Sequence, residues 1–273
     1  MSIGAKAVAL DWDDPSAPPV SDYWALLAAH PAKIVAKRYD SQTQINADSE
    51  KSPNTHVTFD ATQRAAKVQF VNDALGDASL PNQVRPRLPR AYTTGTLFFC
   101  WDAKWHPHYG DAGYRAGLDN HKCFQLANHT VSGDQRRIEP RMRYGQASSP
   151  DIAKVDTRLY PGDAMTGQLA AFTVKPATWT RRWSFVEFQS ATAVLYSEWI
   201  ADETRTPVRL FARRPCTLIN GGGLAQFWVE FNSSQTRPST AGPLIAWVRD
   251  FATLAGLSES AAVSLVAQGA KVP

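Results

Sequence analysis

The sequence predicts an all-β fold, a two-sheet antiparallel sandwich or jelly roll, on three observations. About ten short segments alternate apolar and polar residues with the period of two that strands require. Turn residues such as "PGD", "NGGG" and "PSTAGP" separate most of these segments. No amphipathic helix lies between consecutive segments, and this argues against a fold in which strands and helices alternate.

The first part of the chain carries one helix signal. Ser21 is a suitable N-cap, Asp22 follows in the first turn, and apolar residues then recur, so a short helix is expected over 21–30. A strand is expected over 32–39. The polar stretch 40–54 is expected to be a loop.

From residue 55 onward the pattern is consistently that of strands. The predicted strands lie at 56–60, 65–71, 95–105, 121–128, 137–145, 168–174, 182–189, 193–202, 208–214, 224–232 and 244–252. A C-terminal helix is expected over 258–268. We therefore expect one folding unit over 55–273, with residues 1–54 as an N-terminal extension packed on it. Two long loops, 82–95 and 105–120, are the sites where a rigid β scaffold tends to carry function.

Several strands share a polar face that is rich in Trp, Arg and amide side chains. The clearest example is 224–232, where Phe227, Val229 and Phe231 form a core face and the opposite face carries Gln226, Trp228, Glu230 and Asn232. The same alternation groups His121, Cys123 and Gln125 on one face, and Trp247 with Arg249. Such a face is suited to an extended polar polymer, although the outer face of a sandwich is also polar when it is merely solvated.

The stretch "RRIEPRMRYG" (136–145) carries charged residues at alternate positions, and we call these residues the charged strip. Glu139, Arg141 and Arg143 fall on one face, and Ile138, Met142 and Tyr144 fall on the other. Two interpretations remain open. The charges could form ion pairs between neighbouring strands, or the guanidinium groups could recognise carboxylates of a ligand.

Charge and composition narrow the range of partners. The chain has 273 residues and a net charge of +4, which is compatible with an anionic partner or with a simply basic surface. Its three cysteines are far apart, so we expect reduced thiols and neither a disulfide framework nor a cysteine-rich zinc site. Nucleic-acid binding is not expected, because the arginines are spread over many strands and no recognised motif is present.

The sequence shows no targeting or membrane signal that would fix its location. No basic segment followed by an apolar one opens the chain, and no apolar run approaches 18 residues. The localisation therefore stays open, with the cytoplasm or a virus particle as the default expectation. A membrane partner is not expected.

Three segments resemble the closing strands of the concanavalin A-like lectin and glucanase superfamily of jelly rolls, in its polysaccharide-lyase-like branch. They are "KPATWTRRWSFVEF" (175–188), "SEWIADETRTPVRLF" (197–211) and "FWVEFNSS…GPLIAWVRDFATL" (227–254). The resemblance covers roughly residues 55–255 and implies two antiparallel sheets, of which the concave one holds a glycan. The E-x-D-x-x-E strand of the glucanase branch is absent, which argues against glycosidase chemistry.

The lyase branch implies a β-elimination on an acidic polysaccharide. One group neutralises the uronate carboxylate, a base takes the adjacent proton and an acid protonates the leaving oxygen. "IEPRMR" and "FQLAN" loosely match two alginate-lyase motifs, R-[ST]-E-L-R and Q-[IV]-H, and a third, Y-F-K-A-G-x-Y, is absent. The resemblance implies Arg141 and Gln125 as the neutralising groups, and His106, His108 or Tyr109 as base and acid. Further substrate contacts are expected from His121, Glu139, Arg143, Trp228, Glu230, Trp247 and Arg249.

Other roles remain open for the chain and for some of these residues. The alternative to an enzyme is a non-catalytic glycan-binding or structural module, for example of a virus or phage. His106 and His108 could also be metal ligands or ordinary loop residues. No cofactor is expected, except that Asp202 and Glu203 could cap a turn or hold a structural calcium ion.

Overall fold

The computed structural model describes residues 22–48, 57–70, 83–84, 86–107, 121–122, 125–127, 138–144, 153–159, 172–175, 177–203, 205–217, 224–230, 232–233 and 244–270. In chain order the elements are α1 (Tyr23–Ala29), β1 (Lys33–Lys37), α2 (Gln42–Ala47), β2 (Val57–Asp60), β3 (Ala65–Phe70), β4 (Gln83–Val84), β5 (Arg87–Tyr92), β6 (Thr96–Trp105), β7 (His121–Lys122), β8 (Gln125–Ala127), β9 (Ile138–Tyr144), β10 (Ala153–Leu159), β11 (Phe172–Val174), β12 (Trp179–Phe188), β13 (Ala193–Asp202), β14 (Arg205–Thr217), β15 (Leu224–Glu230), β16 (Asn232–Ser233), β17 (Leu244–Ala255) and α3 (Glu259–Gln268).

The strands form two antiparallel sheets, which confirms the predicted all-β jelly-roll sandwich. The first sheet has the order β14-β13-β12-β6-β17-β3-β2, and β1 also pairs with β17. The second sheet has the order β11-β10-β9-β8-β15-β4, with β5 on β15 and with β7 between β9 and β16. The long strand β17 organises the first sheet, because its first half pairs with β3 and its second half with β1.

A hydrophobic core fills the space between the two sheets. Buried residues of the first sheet meet buried residues of β4 and β5 there, including Trp101, Trp105, Val186, Val248, Val84 and Leu88. Large aromatic side chains remove much apolar surface from water, so this layer supplies the main driving force that holds the sheets face to face.

The outer face of the first sheet is covered by helices rather than by water. Leu26 and Leu27 of α1 and Leu265 of α3 pack there against Trp183 and Phe185. The strand β12 is therefore buried on both faces along nearly its whole length, although it carries two arginines. The two helices meet closely at Gly269, where a Cβ atom would lie 2.7 Å from the ring of Tyr23, so only glycine fits. No helix in the described part of the chain is long and apolar enough to cross a bilayer.

Both end helices start at side-chain caps. Ser258 accepts a hydrogen bond from the amide of Ala261 at 3.1 Å, which starts α3 where the sequence predicts a helix. At α1 the cap is Asp22, which accepts from the amide of Ala25 at 3.0 Å. The predicted cap, Ser21, was wrong by one residue, because an aspartate caps a helix as well as a serine does.

Three expectations about loops were wrong. Part of the expected loop 40–54 is the helix α2, which is held by Gln42 through hydrogen bonds to the backbone of Val57 and Phe59 in β2. Part of the expected loop 82–95 forms β4 and β5, with a proline that β5 carries at an exposed position. The strand β10 was absent from the predicted set, although "AKVDTRL" alternates.

A fully buried ion pair ties the centre of the first sheet to α3. Arg181 of β12 donates two hydrogen bonds to the carboxylate of Asp102 in β6, at 2.6 and 2.8 Å. It also donates to the carbonyl of Gly269, at the end of α3. The two side chains are 2% and 0% exposed, so neither charge is solvated by water.

A second ion-pair cluster fixes the start of α3 at the surface. Glu259 contacts both Arg209 and Arg213 of β14, and Arg213 also contacts Glu187 of β12 at 2.6 Å. Burial raises the pKa of Glu259, but the hydrogen bonds from Arg209 and Arg213 outweigh it and hold the pKa below the ordinary value of 4.5. The cluster therefore stabilises the fold in the ionised form of Glu259.

Replacing Asp102 by Asn should cost about 3–5 kcal/mol of unfolding free energy, because Arg181 would be left as an uncompensated buried charge. Urea unfolding at neutral pH measures the loss. Glu187→Gln is the matched control, since its partner Arg213 is 45% exposed and such a pair contributes little. Equal losses for the two variants would contradict this account of the buried pair.

The stabilisation from Glu259 should depend on pH. Because folding lowers its pKa, the contribution is complete above about pH 4.5 and disappears as the pH falls through the lowered folded-state value. The Tm gap between the wild type and Glu259→Gln should therefore close in acid. In Ser258→Ala, which removes the neutral cap of the same helix, the gap should persist, and closure of both gaps would rule out Glu259 as the cause.

Candidate functional site

Ten of the twelve residues proposed from the sequence are described by the structure, and they lie in two separate regions of the sandwich. The second sheet carries His121, Gln125, Glu139, Arg141, Arg143, Trp228 and Glu230. Trp247 and Arg249 belong to β17 of the first sheet, and His106 directly follows β6. His108 and Tyr109 lie outside the described residues. The single shared polar face that alternation indicated is therefore two faces.

The buried residue Val84 shows which face of the second sheet points outward. Val84 is fully buried in the core between the sheets and lies directly opposite Val229. Phe227, two residues before Val229, pairs with Leu126, which in turn pairs with Ile138. Residues directly opposite in an antiparallel sheet share a face, so these positions form the core side. The other side is hereafter called the outer face of the second sheet.

The outer face of the second sheet is basic and rich in amides. Its register positions include six cations and three carboxylates: Arg87, Lys122, Arg141, Arg143, Lys154, Arg158, Glu139, Asp156 and Glu230. They also include Gln125 opposite Trp228, and Asn232 opposite Lys122. This face can offer guanidinium forks, amides and an aromatic ring to an anionic polymer.

The register breaks the regular alternation between β7 and β8. Leu126 pairs with Ile138 and Lys122 with Arg141, so four steps along β7 and β8 match three steps along β9. Over this distance β7 and β8 thus use one residue more than β9, and the face changes between the two short strands. Lys122 therefore joins Gln125 on the outer face, and His121, opposite Met142, is placed on the core side.

On the other side, Leu126 pairs with Phe227 of β15 and Lys122 with Asn232 of β16. Because β9 is continuous over Ile138–Tyr144, its three steps are the ones that place Lys122 and Leu126 on opposite faces. The grouping of His121 with Gln125 from strict alternation was therefore wrong.

The strands β9 and β10 place charges of opposite sign directly opposite one another. Arg141 is paired with Asp156 and Glu139 with Arg158. Arg143 faces Lys154, a residue of like charge. Directly opposite charges of opposite sign stabilise an antiparallel pair, whereas like charges destabilise it. The charged strip thus combines two pairs of opposite charge with one pair of cations. An anion bound between these two cations would relieve their repulsion.

The residues from the first sheet form a separate aromatic and basic cluster. Trp247 stacks on His106 with ring centroids 6.1 Å apart, and its indole nitrogen donates to Asp60 at 2.8 Å. Arg249 lies over the ring of Trp179, with its guanidinium carbon 3.9 Å from the ring centroid. These residues face the helix-covered side of the first sheet, since Trp247 and Trp179 pack against the cluster that contains α1.

The geometry therefore separates His106, Trp247 and Arg249 from Arg141 and Gln125. The core between the sheets lies between the two groups, and packed sheets are about 10 Å apart even before side chains on their outer faces are counted. His106 cannot reach a substrate that Arg141 and Gln125 hold. Residues that the sequence-based proposal missed, and that the register adds to the outer face, include Arg87, Lys122, Lys154, Asp156 and Arg158.

The end of β13 carries the residues considered for calcium. Glu203 accepts a hydrogen bond from the amide of Trp179 at 2.7 Å, at the start of the neighbouring strand β12. Asp202 is 1% exposed and pairs in register with Thr180. Within the described residues no group of three or more His, Cys, Asp or Glu side chains could hold a metal ion.

Cysteine labelling should distinguish the register of β7 and β8 from strict alternation. In a Cys123→Ser background, Lys122→Cys and Gln125→Cys should react fast with a maleimide, because both positions are on the outer face. His121→Cys and Leu126→Cys should react as slowly as the buried Cys100 and Cys216. Fast labelling of His121→Cys together with slow labelling of Lys122→Cys would contradict this register and would support regular alternation.

Comparisons with known proteins bear on the fold. No protein-family model matches the chain, and no curated protein does. Among solved structures, alginate lyase Aly36B matches with a TM-score of 0.53 and 11% identity, covering 83% of this chain and 98% of that chain. A variant of it in complex with an alginate tetrasaccharide matches with a TM-score of 0.53 and 9% identity, covering 81% and 93%.

A second lyase gives the same result. The marine PL-14 alginate lyase from Aplysia kurodai matches with a TM-score of 0.52 and 9% identity, covering 82% of this chain and 99% of that chain. At such low identity the likeness concerns the path of the backbone. The chain thus has the jelly-roll fold that these alginate lyases share.

Proposed function

We propose that the protein cleaves an acidic polysaccharide by β-elimination, on the outer face of the second sheet. The observation that carries this proposal is the charge of that face, where, among the described register positions named above, cations outnumber carboxylates by six to three. Amides at Gln125 and Asn232 and the indole of Trp228 lie among these positions. The fold shared with alginate lyases supports the proposal, because it is a scaffold on which such chemistry occurs.

The first requirement of the reaction is to neutralise the substrate carboxylate. Arg141 and Gln125 are assigned this role, because a guanidinium and an amide donate hydrogen bonds to a carboxylate and stabilise the enolate-like charge that develops. Arg143 and Lys154 lie two residues further along the same face and would bind a neighbouring uronate. A row of acidic sugars is thus matched by a row of cations.

The second requirement is a base for the proton on the carbon that bears the carboxylate. His106 is not available, because it lies on the first sheet. Lys122 lies directly opposite Arg141 in the register, and we assign it as the base that takes the proton in its neutral form. His108 and Tyr109 remain predicted contributors. The proton passes to the base, the adjacent C–O bond breaks, a C=C bond forms in the ring, and the leaving oxygen is protonated.

A non-catalytic glycan-binding module is the second candidate, and the register of β9 and β10 favours it. Because Arg141 faces Asp156 and Glu139 faces Arg158, part of the charged strip has partners within the sheet. Such a strip binds a polyanion through the cations in excess and performs no chemistry. The two candidates differ in the product and not in the ligand.

The test is to incubate the protein with alginate, glucuronan, heparin and pectate, and to follow the ultraviolet absorbance of the unsaturated product. The active polymer should lose about 10²–10³-fold in kcat on Arg141→Gln, because one donor to the developing charge is removed. Arg214→Gln is the matched control, since Arg214 is exposed on the edge strand β14 of the first sheet. Its activity should equal that of the wild type.

The outcome also separates the two candidates. Retained binding to one of these polymers, with no unsaturated product from any of them, would contradict β-elimination and support the glycan-binding module. Equal loss in the Arg141 and Arg214 variants would exclude the outer face of the second sheet as the site.

A further inference from the structure

A basic pocket lies on the helix-covered face of the first sheet, remote from the site proposed above. Its volume is about 200 Å³, and it is formed by α1, the turn between β2 and β3, and the centre of β12 and β17. The residues that line it are Asp22, Tyr23, Trp24, Arg38, Arg64, Arg181, Arg249 and Asp250. Four guanidinium groups thus converge on one small cavity with two carboxylates.

Three of the arginines are positioned by carboxylates. Arg38 bridges Asp250 at 2.7 Å and Asp22 at 3.1 Å, and Arg181 is held by Asp102. Arg249 lies further from its acidic neighbours, with its Nε atom 3.6 Å from Asp102 and 3.9 Å from Asp250. The fourth, Arg64, makes no ion pair with any described residue. The carboxylates therefore hold the arginines in place without balancing the positive charge of the pocket.

The backbone is strained at two of the lining positions. Arg64 has a φ of 48° and Asp250 a φ of 58°, a left-handed conformation that residues other than glycine rarely adopt. Asp250 lies in a register shift of β17 between Arg249 and Ala252. Bulges of this kind redirect side chains, and strained backbone persists where a structure needs a particular geometry. Both features bring charged side chains to the pocket.

Aromatic rings lie against the guanidinium groups. Arg249 stacks on Trp179 at 3.9 Å, Arg38 on Trp24 at 4.4 Å, and Arg181 on Tyr23 at 4.8 Å. Stacking orients each guanidinium. The nitrogens of Arg38 and Arg181 already donate to Asp22, Asp250, Asp102 and the Gly269 carbonyl, so these two arginines contribute mainly positive charge, and Arg64 and Arg249 are the arginines proposed to donate to an oxyanion. The indole N–H of Trp24 is buried without a hydrogen-bond partner among the described residues, which adds a neutral donor to the lining.

We propose that this pocket is a binding site for a small oxyanion group, the carboxylate, sulfate or phosphate of one ligand residue. Convergent guanidinium forks recognise oxyanions by paired hydrogen bonds. The cavity is smaller than the roughly 300–1,000 Å³ of drug-sized pockets, so it suits one anionic group with no more than a single sugar ring attached. The site is independent of the lyase proposal, because the core separates it from the second sheet.

The experiment uses inorganic phosphate, inorganic sulfate and glucuronate as probes, with sodium chloride at matched ionic strength as the reference. Binding is measured by isothermal titration calorimetry and by the shift in Tm. One of the three oxyanions should bind and raise the Tm beyond the effect of chloride, and the tightest of them identifies the oxyanion. The glycan polymers bound at the second sheet play no part in this measurement.

Two variants test the pocket itself. Arg64→Asn should weaken binding about tenfold or more, because it removes a charged hydrogen-bond donor, and asparagine tolerates the left-handed backbone. Arg213→Asn is the matched control, since Arg213 has the same φ of 48° on the same sheet but lies outside the pocket. Trp24→Phe keeps the ring under Arg38, removes the indole N–H and should also weaken binding.

The proposal is overturned if none of the three oxyanions exceeds chloride. It is also overturned if Arg64→Asn and Trp24→Phe, folded as judged by circular dichroism, bind as tightly as the wild type. Equal weakening by Arg64→Asn and Arg213→Asn would show a general effect of surface charge, and would equally exclude the pocket.

Discussion

The buried ion pair between Arg181 and Asp102 organises the centre of the first sheet. Asp102 lies in register between Arg181 of β12 and Arg249 of β17, so one carboxylate serves two arginines on the strands at either side. Arg181 also donates a hydrogen bond to the carbonyl of Gly269, at the end of α3. Burying such charges costs desolvation energy, so the ion pair adds little net stability. Its main effect is to fix the arrangement of side chains around it. That arrangement includes the helices above the sheet and the pocket beside α1.

The two outer faces of the sandwich are consequently different in kind. On the first sheet, helices and stacked aromatic rings cover polar residues, and several of the charges there surround a small cavity. On the second sheet, the charges follow the strands in rows. A compact cavity fits one anionic group, whereas rows across neighbouring strands fit an extended chain. The distribution of charge, more than its total of +4, distinguishes the two surfaces.

The sequence predicted the strands of the first sheet well because their signals are local. Alternation, bulky aromatic residues and turn residues all agree at β6, β13 and β17. The helix α2 could not be predicted in this way, because what holds it is the distant contact of Gln42 with β2. The strand β10 did carry a signal, the alternation of Lys154, Asp156 and Arg158 with apolar residues.

The candidate site was harder to predict, for a specific physical reason. A period of two shows which residues of a strand share a face, but it does not show which sheet the strand joins. Trp247 and Arg249 were thus grouped correctly with each other and wrongly with Arg141. The position of Lys122 depended on a single extra residue relative to β9, which only the pairing of the strands reveals.

That extra residue has a consequence for how the second sheet could change in evolution. Between the pair at Leu126 and the pair at Lys122, β9 advances three residues, β8 and β7 four, and β15 and β16 five. The number of residues therefore rises by one from each strand to the next across the sheet. Deleting one residue between 122 and 125 would move Lys122 to the core side. It would also shift the pairing with β9 on one side and with β16 on the other. Relatives should therefore gain or lose residues here in concert across adjacent strands, and an alignment that places a lone gap in this segment would misassign every position of the strand beyond it.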